Sequence, residues 1–335
     1  MNTQNSYICP FTNLLRLSMR VLVSSRLLPE GFSDLKEHFD VVFPDAAVFT
    51  KEELINLMPG FDALVPTFQF KVDKEIIDAG VGRLKIIANY GVGYNNIDVE
   101  YATKQGIVVT NTPDPVIEPT AEQAFALMLA VVRRIPECDR KLRIPGSIKW
   151  GVMENLGQTV YGKTLGIIGM GRIGQALARR ALACGMSIVY FNRNPLSPEI
   201  ETNYKAKRLE LDELLKISDI ISLNMPFTPD TFHLINRSRL QQMKPTAILI
   251  NTARGQVVDE QALVEALQNR RIYAAALDVF ENEPNITPAL LTMDNVILSP
   301  HNGSATVEAR NEMCRFVSQN IIHFFDGRKD ITRVN

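Results

Sequence analysis

The 335-residue chain holds only four cysteines, four histidines and one tryptophan. Cys9, Cys138, Cys184 and Cys314 stand far apart without a CxxC pair, and the histidines have no HxxxH spacing, so neither a disulfide framework nor a zinc centre is expected. Cys184 follows Ala181, Leu182 and Ala183 in a small-residue helix, where a buried thiol acting as a small hydrophobe is expected rather than a nucleophile. An excess of either charge is also missing. Thirty-six basic residues meet 37 acidic ones, giving a net charge of -1 spread along the chain, so no nucleic-acid footprint is present. The longest uninterrupted apolar run, Ala124 to Val132, falls far short of the roughly 20 residues that span a bilayer, and no cationic segment precedes an apolar one at the start. These absences lead to the expectation of a soluble cytoplasmic protein with neither a nucleic-acid nor a membrane partner.

What is present is the composition of a globular chain, 46% hydrophobic and 22% charged, with a length beyond that at which one core stops growing. Two domains are expected. Residues 1–18 have mixed polarity and no period, and read as a flexible N-terminal tail or the product of an upstream start codon. From Met19 onward, short β-branched runs (Val21–Ser24, Val41–Phe43, Ala63–Pro66, Lys85–Asn89, Ile107–Thr110) alternate with helical patterns. That alternation predicts a five-stranded, flavodoxin-like parallel sheet. A long apolar helix over Glu118–Arg134 follows, with Thr120 and Gln123 at capping-box spacing and arginines at its far end; it is expected to be buried between domains or subunits. The residues after this helix, through Ile144-Pro145-Gly146 and Trp150, read as loop. A second alternation then offers six strands, at Thr164–Ile168, Ser187–Asn192, Ile220–Asn224, Ala247–Asn251, Ala274–Val279 and Val296–Ser299. Six strands match a doubly wound dinucleotide-binding domain. A last helix, about Ala305 to Phe325, carries Met313, Phe316, Val317, Ile321 and Phe324 as its apolar positions.

The first strand of the second series runs into a GxGxxG pattern that opens a small-residue helix. Gly169 permits the tight turn, Gly171 lets the backbone approach a pyrophosphate, and Gly174 lets helix and strand pack closely. The following strand ends in Tyr190-Phe191-Asn192-Arg193-Asn194, without the carboxylate that usually holds the adenosine ribose and repels a 2′-phosphate. Asn192 can bond a hydroxyl or phosphate oxygen, and Arg193 can pair with a 2′-phosphate. NADP(H) is therefore the expected cofactor, with NAD(H) as the other candidate; the competing reading is that Arg193 begins a solvated loop.

Three later strands end in Arg254, in Asp278 followed by Glu283, and in His301. In a parallel sheet these carboxyl ends share one edge with the glycine loop, the edge where ligands bind. Reduction of a 2-keto acid needs a cation for the carboxylate, a hydride donor at one face of the carbonyl, and an acid for the nascent alkoxide. Arg254 suits the first task through its planar fork, and His301 suits the last, with Glu283 favouring imidazolium and fixing the ring. Asp278 is placed to bind the nicotinamide amide. Taken singly, such an arginine is more often a surface ion pair and such a histidine a polar cap; their joint placement beside a glycine loop points to a site.

With GMGRIG at 169–174, NTARG at 251–255, LDVFENEP at 277–284 and PHNGSAT at 300–306, the chain from Met19 onward resembles the D-isomer-specific 2-hydroxyacid dehydrogenase family. The resemblance implies a Rossmann dinucleotide-binding domain (118–301) inserted into a flavodoxin-like substrate domain (19–117 and 302–335), with the last helix returning to the first unit. It implies Arg254, Glu283 and His301 as the catalytic set and Val92 and Gly93 as amides for the substrate carboxylate. Arg172, Ile173, Pro226, Thr231, Thr252, Ala253 and Gly303 join the cofactor contacts. Asn192-Arg193, in place of the usual acidic residue, resembles the glyoxylate/hydroxypyruvate reductase branch. No regulatory extension follows Asn335, unlike the longer phosphoglycerate dehydrogenases. Phe68, with Gln69 and Phe70, either faces the substrate side chain or belongs to the core. Glyoxylate, hydroxypyruvate, a sugar-derived keto acid and an aromatic keto acid all remain open, and a homodimer through the Thr120–Arg134 region is expected. The other functional class is a nucleotide-sensing, corepressor-like binding protein with the same fold, which would bind nucleotide without turnover.

Overall fold

The computed structural model describes residues 18–335, so the expected tail, apart from Ser18, lies outside the described residues. The chain divides into two units: one runs to Val116 and is completed by Ala305–Asn335, and the other spans Ile117–Ser304.

In the first unit, strands β1 (Arg20–Val23), β2 (Asp40–Val42), β3 (Ala63–Val65), β4 (Ile86–Ala88) and β5 (Val108–Thr110) form a parallel sheet in the order β2-β1-β3-β4-β5. Its central strands are buried on both faces, which is why their sequences are continuous apolar runs without alternation. The covering helices start where a side chain can accept from their first amides. Thr50 and Glu53 form a reciprocal capping box, and Asp73 and Asp98 cap the next two helices. The helix Val307–Phe325, capped by Thr306, lays Met313, Cys314, Val317 and Ile321 against Val21, Val23, Phe32 and Leu35. Phe316, also expected on that face, is only partly buried. The chain end closes on β5, where the Val334 amide donates to Val109 O at 2.9 Å.

In the second unit, β6 (Thr164–Ile168), β7 (Ser187–Phe191), β8 (Ala206–Arg208), β9 (Ile220–Leu223), β10 (Ile248–Asn251), β11 (Ala274–Leu277) and β12 (Val296–Leu298) form a parallel sheet in the order β12-β11-β10-β9-β6-β7-β8. The chain winds outward from β6 to β8, then crosses back to β9 on the other side of β6. That reversal creates a crevice at the carboxyl ends of β6 and β9.

Four expectations need correction here. The sheet has seven strands rather than six, because the short edge strand β8 has only Ala206 buried and carries two cations, leaving no apolar run to read. The long helix occupies Ile117–Val132 and begins ahead of Thr120, which is an interior residue and not its cap. Pro119 permits this, since first-turn amides have no intrahelical acceptor in any case. Gln123 instead donates to Ser299 Oγ at 2.9 Å. Finally, Ile135–Leu142 is a helix and not a loop. Arg134, in the left-handed region at φ 54°, breaks the chain between the two helices. The Arg134 guanidinium, 2.6 Å from the nearly buried Glu137, holds that carboxyl down to about 2, assisted by Lys141 against the effect of burial. Cys184 is not a core thiol but a partly buried residue at the C-cap of Arg172–Ala183. No helix among the described residues is long and apolar enough to cross a membrane.

A β-carbon on Gly31 would fall 2.3 Å from that of Cys314 and 2.7 Å from Asn311 O, so this glycine is where the C-terminal helix seats. Gly31→Ala is expected to destabilise the first unit by about 1–3 kcal/mol through overpacking, read as a lower Tm; an unchanged Tm would show that the seat yields.

Candidate active site

The glycine loop leaves β6 with Gly169 at φ 91°, where a β-carbon would meet Met225 N at 2.6 Å. Gly174 allows the helix to approach, since its β-carbon would lie 2.7 Å from Gly169 O. Gly171 differs, because nothing lies within 4 Å of where its β-carbon would be. It is the N-cap of the helix opened by Arg172 and Ile173, so the positive end of that helix faces open space. Asn192 Oδ1 accepts from Met170 N at 2.7 Å, tying the end of β7 to the glycine loop and leaving its amide nitrogen as the side chain's donor. Arg193, next to it, is exposed. Beyond β9, the Thr231 hydroxyl accepts from the Thr228 amide at 2.7 Å and donates to Pro226 O at 3.1 Å, so Thr231 shapes the turn that carries Pro226. After β10, Asn251 Oδ1 accepts from Ala253 N, and its amide group donates to Arg254 O, folding the segment that holds Thr252 and Ala253.

Among the described residues, five buried side-chain polar atoms lack a hydrogen-bond partner. Three of them, Arg208 Nε, Asn224 Oδ1 and Thr252 Oγ1, belong to residues at or just beyond the carboxyl ends of β8, β9 and β10. A buried polar atom without a partner is costly, and here the orphans gather on the ligand edge of one sheet. With the open approach at Gly171, this edge fits a ligand rich in hydroxyl, phosphate and carboxamide groups, as a nicotinamide dinucleotide is.

The reacting groups converge on the loops after β10, β11 and β12. Asp278, buried at the end of β11, holds three successive amides: its carbonyl oxygen accepts from His301, Oδ1 from Asn302 and Oδ2 from Gly303, each at 2.8 Å. Burial pushes the Asp278 carboxyl above the usual carboxylate range, opposed by Ser299, the loop amides and the charge of His301. The knot keeps His301 at φ 55°, a conformation that costs a residue with a β-carbon roughly 1–2 kcal/mol. His301 Nδ1 lies 2.8 Å from Glu283 Oε2, and Glu283 Oε1 accepts from the Phe280 amide at 2.9 Å. Burial alone would raise the Glu283 carboxyl. The bond and charge of His301, the Phe280 amide and the charge of Arg254 outweigh it, and the group stays below the usual carboxylate range. Arg254 donates to Ala253 O at 2.7 Å; burial pulls its ionisation down, and the Glu283 charge opposes that pull. Glu283 thus sits within electrostatic reach of both the guanidinium and the imidazole.

Several supports of this cluster escaped the sequence reading. A β-carbon on Gly255 would lie 1.9 Å from the Phe280 carbonyl carbon, so the Arg254 turn rests directly on the backbone that leads to Glu283. Glu260 is buried, with Oε2 accepting from Glu281 N at 2.9 Å and Oε1 from Thr287 N at 3.3 Å; it pins both limbs of the loop that carries Glu283. The Glu281 side chain lies 2.8 Å from His233 Nε2, joining the same loop to the turn after β9. In the sequence, Glu260 reads only as a first-turn helix acid and His233 as one polar residue among others.

In the first unit, the segment 89–93 is arranged around the buried Asn89, whose amide group donates to Gly91 O at 3.1 Å and Gly93 O at 2.8 Å. Asn111 Nδ2 donates to Val92 O at 2.9 Å. The carbonyls are thereby committed, whereas among the described residues the amides of Val92 and Gly93 donate to no protein acceptor. Two successive amides without a protein acceptor are able to receive an anion. The two aromatics left open by the sequence separate: Phe70 is in the core, and Phe68 is 39% exposed. A cavity of about 350 Å³ in the second unit lies at the opposite edge of its sheet, between Ile135–Leu142 and the starts of β11 and β12, and so is not part of this constellation.

Residues 125–303 match the model of the D-isomer specific 2-hydroxyacid dehydrogenase, NAD binding domain. The chain is 47% identical over 321 residues to a glyoxylate reductase of Thermococcus onnurineus, covering 94% of this chain and 96% of that relative. A crystal structure of a protein from Thermus thermophilus superposes with a TM-score of 0.88 at 41% identity, covering 95% of this chain and all of that one. An NADPH-dependent glyoxylate/hydroxypyruvate reductase of Sinorhizobium meliloti, solved with NADP and malonate, gives a TM-score of 0.81 at 37% identity over 95% of this chain and 97% of that one. With its glycine loop, its paired imidazole and carboxylate, and similarity along nearly its whole length, the chain belongs to the D-isomer specific 2-hydroxyacid dehydrogenase family and is an NAD(P)-dependent oxidoreductase.

Proposed function

We propose that this protein is a cytoplasmic reductase that takes a hydride from NADPH to a small 2-keto acid, glyoxylate or hydroxypyruvate in the first place, giving the D-2-hydroxy acid. The observation that carries the reading is the 2.8 Å His301–Glu283 pair, set on the sheet edge that also holds the glycine loop and lying in the field of Arg254. The names of the relatives support glyoxylate as the first substrate to test.

The unit Ile117–Ser304 binds the dinucleotide, with Gly169, Gly171, Arg172, Ile173 and Gly174 along the diphosphate, Asn192 and Arg193 at the ribose, and Pro226, Thr231, Thr252, Ala253 and Gly303 around the remainder. When bound, the nicotinamide supplies the hydride. Arg254 engages the substrate carboxylate and carbonyl oxygen through its fork, polarising the carbonyl. The amides of Val92 and Gly93 receive the carboxylate, and Phe68 borders the substrate. His301 gives its proton through Nε2 to the oxygen that becomes the hydroxyl, and Glu283 orients the ring through Nδ1. Asp278 keeps the His301 loop in place and has lone pairs beyond its two loop bonds for the nicotinamide carboxamide. The absence of a carboxylate after β7 and the presence of Arg193 favour the 2′-phosphorylated coenzyme.

The protein also acts as a homodimer through the surface beside the helix Ile117–Val132. The following stretch leaves Leu142, Ile144, Trp150, Val152 and Met153 exposed, an apolar series that a second copy would cover. Light scattering should return twice the chain mass, and a monomer at micromolar concentration would overturn this.

A panel of 2-keto acids assayed with NADPH and NADH tests the main reading. Turnover of glyoxylate or hydroxypyruvate with higher kcat/KM for NADPH is expected; tight nucleotide binding without turnover on any acid would instead mark a corepressor-like binding protein. His301→Gln is expected to lower kcat by roughly 10²–10⁴-fold with little change in KM, whereas Arg254→Ala should raise KM as well. Reduction takes up a proton and oxidation releases one, so reduction should slow as pH rises and oxidation should show the opposite limb. Because Glu283 is held below its usual range, the ion pair persists as pH falls from neutrality and is lost only when Glu283 protonates in acid. Superimposable pH profiles in the two directions would remove His301 from the proton transfer.

A further inference from the structure

We infer that Arg208 is a coenzyme-selecting residue, acting with Arg193 as a two-guanidinium receptor for the 2′-phosphate of the adenosine ribose. The inference rests on the NADPH reading and names a residue on the edge strand that the sequence did not reveal.

Strand β8 lies beside β7 with Arg208 in register with Tyr190, so its side chain starts level with the end of β7. From there Arg208 Nη2 donates to the carbonyls of Asn192 at 3.3 Å and Arg193 at 3.4 Å. These are the two residues that stand where an acidic side chain would meet the ribose hydroxyls. The guanidinium is therefore fixed to the turn that faces the adenosine ribose.

Its charge is less closely neutralised than that of six other arginines of the protein. Arg20, Arg83, Arg134, Arg143, Arg179 and Arg237 each have a carboxylate oxygen within 3.1 Å. For Arg208, the ion-pair contact is Glu210 at 3.9 Å, whose own side chain is 77% exposed, and the nearby Glu201 is taken up by the Tyr190 hydroxyl at 2.6 Å. Two neutral carbonyls hold one corner of the fork, while Nε is buried and has no partner. A cation whose ion pair is as long as 3.9 Å and whose Nε is unsatisfied, kept at this turn by main-chain bonds, can take a closer anionic acceptor. A phosphate monoester at the ribose 2′ position supplies one: a small turn of the guanidinium about its Nη2 anchor brings Nε and Nη2 to bear on two phosphate oxygens, with Arg193 closing from the exposed side. A 2′-hydroxyl, uncharged, would supply neither guanidinium with such an acceptor.

Calorimetric binding of 2′,5′-ADP and 5′-AMP to the full-length protein tests this without catalysis. The wild type should bind 2′,5′-ADP more tightly. Arg208→Met should weaken 2′,5′-ADP by roughly 10- to 100-fold, the worth of a charge-assisted contact, while leaving 5′-AMP nearly unchanged, and Arg208→Lys should fall between, keeping charge but losing the fork. Equal weakening of both nucleotides would reduce Arg208 to a brace of the 192–193 turn and overturn the inference. If Arg193→Ala removes the preference and a folded Arg208→Met or Arg208→Lys protein does not, the NADPH reading stands and the role of Arg208 falls. A wild type that binds the two nucleotides equally would overturn both.

Discussion

One buried carboxylate governs the geometry of the loop that carries His301. Asp278 takes the amides of His301, Asn302 and Gly303 through its carbonyl and both side-chain oxygens, turning an ordinary strand-to-loop exit into a knot. The left-handed backbone of His301 is unfavourable by itself and is held only because three bonds converge on one residue. That fixed backbone sets the imbalance between neighbouring carboxyls. Asp278, fully buried, is pushed up by burial, whereas the more exposed Glu283 is brought down by the imidazole, the Phe280 amide and the guanidinium. Two acids a few residues apart thereby differ: one holds the backbone, and the other keeps a negative charge beside an imidazole.

The same economy of roles recurs across the ligand edge. Asn192 and Asn251 spend side-chain oxygens on the glycine loop and on the Arg254 turn, and Thr231 spends its hydroxyl on the turn of Pro226. Short polar side chains build the loops, and longer charged ones are left to face the ligand. Where the building work ends, unsatisfied atoms begin: Arg208, Asn224 and Thr252 carry buried donors and acceptors that the protein itself does not satisfy. A site prepared for a polar ligand has this appearance, since any polar atom satisfied internally would have to be released on binding.

Periodicity and motif placement made much of this legible. Continuous apolar runs marked both parallel sheets, because strands covered on two faces cannot alternate. The glycine spacing located the diphosphate turn, because only residues without a β-carbon fit at Gly169 and Gly174. The family motifs named Arg254, Glu283 and His301. Signals that depend on local contrast failed where the contrast was weak. β8 has one buried residue between exposed ones, Ile135–Leu142 is only two turns long and rich in charge, and Pro119 disguised a helix start.

From the sequence alone followed the fold class, most of the alternation of strands and helices, and candidates for the groups that carry the chemistry, since these depend on side-chain type and on spacing along the chain. The tertiary structure alone decided which of those groups meet. Asp278 and His301 are 23 residues apart, His233 and Glu281 are 48 apart, and Arg208 reaches back to the turn after β7. Hydrogen bonds and charges act over a few ångströms of space, and only the pairing of strands in the sheet brings such distant positions within that range.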